Sequence, residues 1–387
     1  MGLERRLAMT GSKRKRGADS WRLEVTIGTD AQGKPKRYSK TVHCKSEAEA
    51  NKELAKFYAA CSEGKIKKQS SEKVGDFCDV YYKEYAERFL KTSTLGGIRS
   101  SIKIWIKPHL GNKKISKLTR IDIQRWINLI TDAGKSPKTV QNHYMILRQI
   151  MNYAVDMGVI DDSPCKNIRL PKRNKHEVSY YTLEDVRELL RALDASSNLT
   201  LKTAILILLF GGLRKGELLG LNWEDVDFEN ATIHVHRTRM FATGKGLYED
   251  TPKTASSIRY VSLPQEVINT LRQLQLEQKK RRLVLGASYI ASDAVLQGTF
   301  GAPLYPSVLC RQFDRFLTDH ELPRITLHGL RHTHASMLAH MNTDKMQISE
   351  RLGHSELSTT LNIYTHLFEN ADKQIADNLQ TAYLATK

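Results

Sequence analysis

The spacing of apolar residues changes along this chain, and the change requires more than one folded body. Between Trp21 and Ile27 the residues Trp, Leu, Val and Ile alternate with polar neighbours, and a second alternating segment runs from Lys36 to Val42. Period two is the pattern of a strand buried on one face, so these segments predict a small sheet. Ser46, with Glu49 three residues later, opens a helix as a capping box, and this body ends near Gly64. From Val74 to Met157 apolar residues recur three and four apart: Phe77, Val80, Tyr81 and Tyr85, then Ile98, Ile102, Trp105 and Ile106, with Pro108 and Gly111 as the stop. Helices at Thr119 to Ala133 and Ser136 to Met157 complete a four-helix domain. Residues 161 to 175 hold Pro164, Pro171 and a basic stretch without periodicity, which reads as a linker. After Tyr180 the pattern is mainly helical, interrupted by alternation at Ala231 to His236 and Ile258 to Leu263, with a loop around Gly244 to Thr251 between them. The expected architecture is therefore multidomain and mainly α with small β-sheets. It comprises an N-terminal sheet plus helix over 1–66, a helical domain over 72–160, a linker over 161–177 and a mixed α/β domain over 178–387.

A net charge of +18 over 387 residues implies a polyanionic partner, because phosphates neutralised by Lys and Arg release condensed counterions. Residues 1 to 70 carry 17 Lys plus Arg against 8 Asp plus Glu, so the excess is concentrated at the N-terminus. Lys13, Arg14, Lys15, Arg16, Arg22, Lys36 and Arg37 are the candidate DNA contacts there, with Lys172 and Arg173 in the linker. The bland reading of the same charges is a solvated face. The longest apolar run, Ala204 to Phe210, is far too short to span a bilayer, and no secretory signal is visible. Five scattered cysteines without CxxC spacing suit reduced thiols and a cytoplasmic location, and imply no metal.

A tyrosine, Tyr364, lies downstream of His328, Arg331 and His354, and Arg214 stands far upstream in a Gly-Leu-Arg-Lys-Gly-Glu run. A phenol has a pKa near 10, so attack on phosphorus by tyrosine needs cations around the phosphate. His328 and Arg331 are three apart and share a helix face, and arginine suits phosphate through its paired donors. Glu217, three residues after Arg214, is placed to orient it; the alternative is an ordinary surface ion pair. Lys253 falls between two alternating segments, in a hairpin turn or at a strand edge, where lysines are mostly solvated. Each residue taken singly has a structural reading at least as good as a chemical one. The set is what carries information.

In order, Arg214, Lys253, His328, Arg331, His354 and Tyr364 resemble the catalytic set of the tyrosine recombinases, or phage integrases. The contexts match as well: G-L-R-x-x-E, H-x-L-R-H-T-H, L-G-H-S and a Y-T-H ending. Gly329 departs from the family, which often has Asp there, and the interval from His354 to Tyr364 is ten where many Xer-like members have nine. The resemblance covers Tyr180 to about Leu384 strongly. The helical region resembles the family's core-binding domain in size and placement, and the N-terminal body resembles the arm-binding domain of integrases from phages and conjugative transposons of Gram-positive bacteria. It implies that Tyr364 is a nucleophile forming a 3′-phosphotyrosyl link, that Arg214 and Arg331 clamp the phosphate with His354 assisting, that Lys253 protonates the leaving oxygen, and that His328 helps move the nucleophile's proton. It also implies no cofactor, double-stranded DNA bound at core and arm sites, a homotetramer on DNA with the last helix, Glu369 to Leu384, docking on a neighbour, room for a directionality factor, and a nucleoid-associated place in a bacterial host. A type IB topoisomerase would share the chemistry, and a DNA-binding regulator would share only the charge. A metal-dependent nuclease would need a carboxylate cluster, which the sequence lacks.

Overall fold

The computed structural model describes residues 10–29, 35–63, 70–172, 179–251 and 257–353. The chain divides into two compact units, Met1–Arg173 and Asn174–Lys387. Lys253, His354, Tyr364, Arg173 and the expected helix at Glu369 to Leu384 all lie outside the described residues.

The first unit begins with an antiparallel sheet in the order β1 (Thr10–Lys15), β2 (Ser20–Thr29), β3 (Pro35–His43), followed by α1 (Glu47–Ser62). Strand β1 is a finding beyond the sequence pattern: its basic residues give no alternation, yet Lys13 pairs with Leu23 and Lys15 with Trp21. Trp21, Leu23, Val25 and Val42 face Ala50 and Phe57 of α1, forming one small core. The Ser46 side chain accepts from the Glu49 amide, while the Glu49 carboxylate accepts from Lys45, not from Ser46 itself.

Four helical stretches follow, and two of them are interrupted. The first is α2 (Val74–Val80), a π-helical turn at Tyr81–Ala86 and α3 (Glu87–Phe89); the second is α4 (Thr92–Ser101), a π turn at Ile102–Ile106 and α5 (Lys107–Leu110). The second stretch ends at Gly111, as the sequence suggested, but it first passes through Pro108. The wider turn just before it removes the demand for the amide that proline lacks, and the chain continues to Gly111. Helices α6 (Arg120–Asp132) and α7 (Pro137–Asp156) bury Ile123, Trp126, Ile127, Val140, Leu147 and Ile150 against them. The expected linker differs in its first half. Tyr144 donates to the Cys165 carbonyl at 2.7 Å, Gln141 to that of Pro171 at 2.8 Å, and Gln124 exchanges two bonds with Arg169, so residues 161–171 are fastened along α6 and α7.

The second unit is built around α9 (Leu199–Gly211), which is apolar on all sides because α11 (Gln265–Leu285) and α13 (Leu327–His340) both pack against it. Each of its buried Leu and Ile side chains contributes roughly 1.5–3 kcal/mol of transfer free energy. Helix α8 (Leu183–Ala195) precedes it, opened by a Thr182–Asp185 capping box. The short α10 (Lys215–Gly220) follows, and then a sheet in the order β4 (Val226–Asp227), β5 (Thr232–Val235), β8 (Arg259–Ser262). The stretch expected as a loop around Gly244 to Thr251 instead holds β7 (Gly246–Asp250), which forms a second hairpin with β6 (Thr238–Ala242) just before it. Its buried Arg239, bonded to Glu249 and to the Leu219 carbonyl, breaks the apolar alternation that would have announced it. Helices α12 (Pro306–Asp319) and α14 (Lys345–Leu352) complete the described fold. No helix among the described residues is long and apolar enough to cross a membrane.

Candidate active site

The apolar helix α9 ends at Gly212, whose φ of +65° turns the chain sharply toward α10. A Cβ at this position would lie 2.5 Å from His334, so the turn admits only glycine. Arg214 stands at the N-terminus of α10, and Glu217 reaches back to it twice: the Arg214 amide donates to Oε2 at 2.9 Å and Nη1 to Oε1 at 2.7 Å. Glu217 is 1 % exposed, which removes the surface-pair reading. Its second cation is Arg259, whose Nη2 donates to Oε2 at 3.0 Å. Burial by itself would push the Glu217 carboxyl up, but Arg259 and Arg214 outweigh it and hold the group below the usual carboxylate value.

Arg331 projects from α13 and is 2 % exposed. Its Nη1 donates to the Gly212 carbonyl at 2.6 Å and its Nη2 to that of Leu352 at 2.7 Å. The neighbouring carbonyl, Gly353, accepts from Arg214 Nη2 at 2.9 Å. The two arginines thus converge on adjacent peptide units, and the next residue in the chain is His354. His328 keeps an exposed edge beside them; partial desolvation and then the charges of Arg331 and Arg214 lower its pKa, leaving a neutral imidazole at neutral pH. Gly329, where the family often has a carboxylate, has no room for any side chain, since a Cβ would lie 2.4 Å from Ile325.

Of the residues picked out by sequence, the structure brings Arg214, Glu217, His328 and Arg331 together. Three others belong to the same network and were missed. Arg259 shares the inward parity of Val261 and Leu263 in an alternating segment, a signal for a buried charge that invites a partner. Arg351 donates to the carbonyls of Phe210 at 3.0 Å and Ser262 at 2.9 Å, and His334 lies beneath it. Nothing in the pattern around Arg351 distinguishes it from a solvated helix residue.

A family model described as the phage integrase family matches residues 180–371, and one described as a phage integrase N-terminal SAM-like domain matches 73–130. A tyrosine recombinase XerC-like protein of Caldanaerobacter subterraneus is 32% identical, with 96% of this chain and 98% of the relative covered. The chain belongs to the phage integrase family. The ICEBs1 integrase of Bacillus subtilis is 30% identical over 68% of this chain and 71% of its own length. The fold matches the Tn1549 transposon integrase in complex with transposon right end DNA (TM-score 0.66, 25% identity, 79% of this chain and 99% of that one). It also matches a lambda integrase dimer bound to a core site (TM-score 0.56, 21% identity, 75% and 95% covered). This integrase-family protein is thus a tyrosine recombinase, a member of a group of DNA strand-transferring enzymes.

The integrase's candidate DNA contacts fall on different faces. Arg14 pairs with Arg22 across β1 and β2 on the face away from α1, and Arg37 shares that face. Lys13 and Lys15 have the opposite parity: both stack near Trp21, at 5.5 and 5.7 Å, and Lys13 pairs with Glu47 at 2.9 Å. Lys36 has the parity of Tyr38 and Val42, and Arg16 lies just beyond the strand. Lys172 is exposed. In the second unit, Asp225, His234 and His236 gather donor atoms within 4.8 Å of one another. Arg237 Nη2 stands 2.8 Å from His236 Nε2 and 3.1 Å from Asp225 Oδ1, however, so a guanidinium already fills the place a cation would take.

His334 donates from Nδ1 to the Leu209 carbonyl at 2.8 Å, which leaves Nε2 as the acceptor for Arg351 Nε at 3.1 Å. Burial, then the Arg351 charge, lower its pKa to about 4, and burial with His328 and Arg331 lowers that of His332 to about 4. Both histidines are therefore neutral in the fold and charged at mildly acid pH when unfolded, where the ordinary value is near 6.5. Stability is present in full above about pH 6.5 and is lost as pH falls toward 4. The melting temperature of the integrase is expected to drop across this interval, and a His334→Gln variant to show a flatter profile. An identical slope in the variant would contradict the assignment.

Proposed function

We propose that this integrase cuts and rejoins double-stranded DNA one strand at a time through Tyr364. The observation that carries the reading is the convergence of Arg214 and Arg331 on the turn that runs directly into His354, with His328 beside them and Glu217 behind. Two fixed guanidinium groups suit the non-bridging oxygens of one phosphate, and stabilising charge that develops there is the largest single contribution such a site makes. The Tyr364 phenol oxygen attacks the phosphorus and its proton passes to the neutral imidazole of His328. The phosphorus–oxygen bond to the 5′ side breaks, leaving a 3′-phosphotyrosyl link, and the departing oxygen takes a proton from Lys253. His354 assists the two arginines. Arg331 is buried, so DNA must uncover it before the phosphate is clamped. The energy of the broken bond stays in the covalent enzyme, and neither ATP nor a metal is required by these steps.

In this reading residues 1–66 bind arm-type DNA, 72–160 grip the core site, and 178–387 hold the chemistry. Four protomers act on two sites, a directionality factor sets integration against excision, and the host cytoplasm is the place of action. The face of the N-terminal sheet carrying Arg14, Arg22 and Arg37 is the part best suited to a phosphate backbone.

A duplex nicked near its cleavage point tests the proposal, because loss of a short fragment traps the covalent intermediate. A protein–DNA adduct that resists denaturation and maps to Tyr364 is expected, in undiminished yield with chelator present. An adduct at any other residue, none at all, or one abolished by chelator refutes the scheme.

A further inference from the structure

The last turn of α14 is held in an unusual way. Helix C-termini leave backbone carbonyls without intrahelical partners, and these carry partial negative charge. Here three successive carbonyls are each taken by a different guanidinium: Arg351 O accepts from Arg259 Nε at 2.8 Å, Leu352 O from Arg331 Nη2 at 2.7 Å, and Gly353 O from Arg214 Nη2 at 2.9 Å. Arg214 and Arg331 belong to the phosphate clamp proposed above. Arg259 has no part in that clamp as proposed, and its side chain, 8 % exposed, has all three nitrogens bonded to other parts of the protein.

Each of those nitrogens reaches a different segment. Nη2 bonds Glu217, the carboxylate that orients Arg214. Nη1 bonds the Ser257 carbonyl at 3.0 Å, at the described end of the stretch that follows Lys253. Nε bonds the Arg351 carbonyl, three residues before His354. We propose that Arg259 is a positioning residue for strand cleavage, one planar group that keeps Arg214, the strand entered from Lys253 and the turn leading to His354 in register. The planar fork with donors in three directions is what the task requires, and lysine, a point charge with a single nitrogen, cannot replace it. A purely structural ion pair would need only the bond to Glu217.

The inference rests on the proposed cleavage scheme and is tested separately from it. Wild type and Arg259→Lys are compared for single-turnover adduct formation on the nicked duplex at saturating DNA, and for DNA affinity by fluorescence anisotropy. Amide hydrogen exchange is followed at a temperature where melting curves show both proteins folded. Lysine keeps a positive charge against Glu217, so the fold is retained. The expected result is adduct formation slowed about 30-fold or more, affinity within about twofold of wild type, and faster exchange confined to residues 350–353. Cleavage by the variant within about threefold of wild type overturns the inference, as does a parallel loss of affinity and rate or a uniform rise in exchange. If wild type itself forms no adduct at Tyr364, the cleavage scheme fails instead.

Discussion

Strand cleavage by an Arg331→Ala variant is expected to fall by about a hundred- to a thousandfold, the scale set by removing one donor from a site of developing charge. The same change should destabilise the protein. Arg331 satisfies the Gly212 and Leu352 carbonyls in a buried position, and leaving such acceptors unpaired costs about 1–3 kcal/mol each. Urea unfolding reads the stability loss, and the nicked-duplex assay at a temperature where the variant is folded reads the chemistry. Arg331→Lys separates the two contributions: it keeps one cation but can bond only one carbonyl well, so intermediate stability is expected with cleavage still strongly impaired. Cleavage by the alanine variant within tenfold of wild type would remove Arg331 from the clamp.

Glu217→Gln should have the largest effect on folding. The carboxylate is buried between Arg214 and Arg259, and breaking a buried charge arrangement by removing one member typically costs about 3–5 kcal/mol because the remaining charges are left uncompensated. Two guanidinium groups would then face a neutral amide. Cleavage should fall as well, since Arg214 loses the bond that fixes its direction. The pH dependence follows from the lowered pKa of Glu217: its contribution is present above the ordinary glutamate range and is lost as pH drops below it. Wild type should lose stability steeply in acid while the glutamine variant, already destabilised, should lose less. A glutamine variant that melts within a degree or two of wild type would show that the pair of arginines does not depend on the charge.

The long helices were legible because apolar residues at three- and four-residue spacing have few other solutions, and caps such as Thr119, Thr182 and Ser136 mark their starts. Strand β1 was not, because Lys13, Arg14 and Lys15 carry no apolar alternation, and the partners that place them, the β2 backbone, Trp21 and Glu47, are distant in the sequence. Gly111 marked the end of the second stretch correctly, while Pro108 is carried inside it because the preceding turn is wide, which the sequence does not announce. The site divides in the same way. Arg214, His328 and Arg331 could be named from their context, since they sit in short motifs. Arg351 could not, because its partners are main-chain oxygens of Phe210 and Ser262, far away in the chain and silent in the sequence.

A free arginine side chain samples many rotamers, and freezing one costs about 2 kcal/mol. Arg214 and Arg331, anchored on the final carbonyls of α14, have already given up that freedom when the protein folds. On the proposed scheme a phosphate arriving at the part-exposed Arg214 meets an immobile cation, so little side-chain disorder opposes it, while the buried Arg331 joins only after the turn above it has moved.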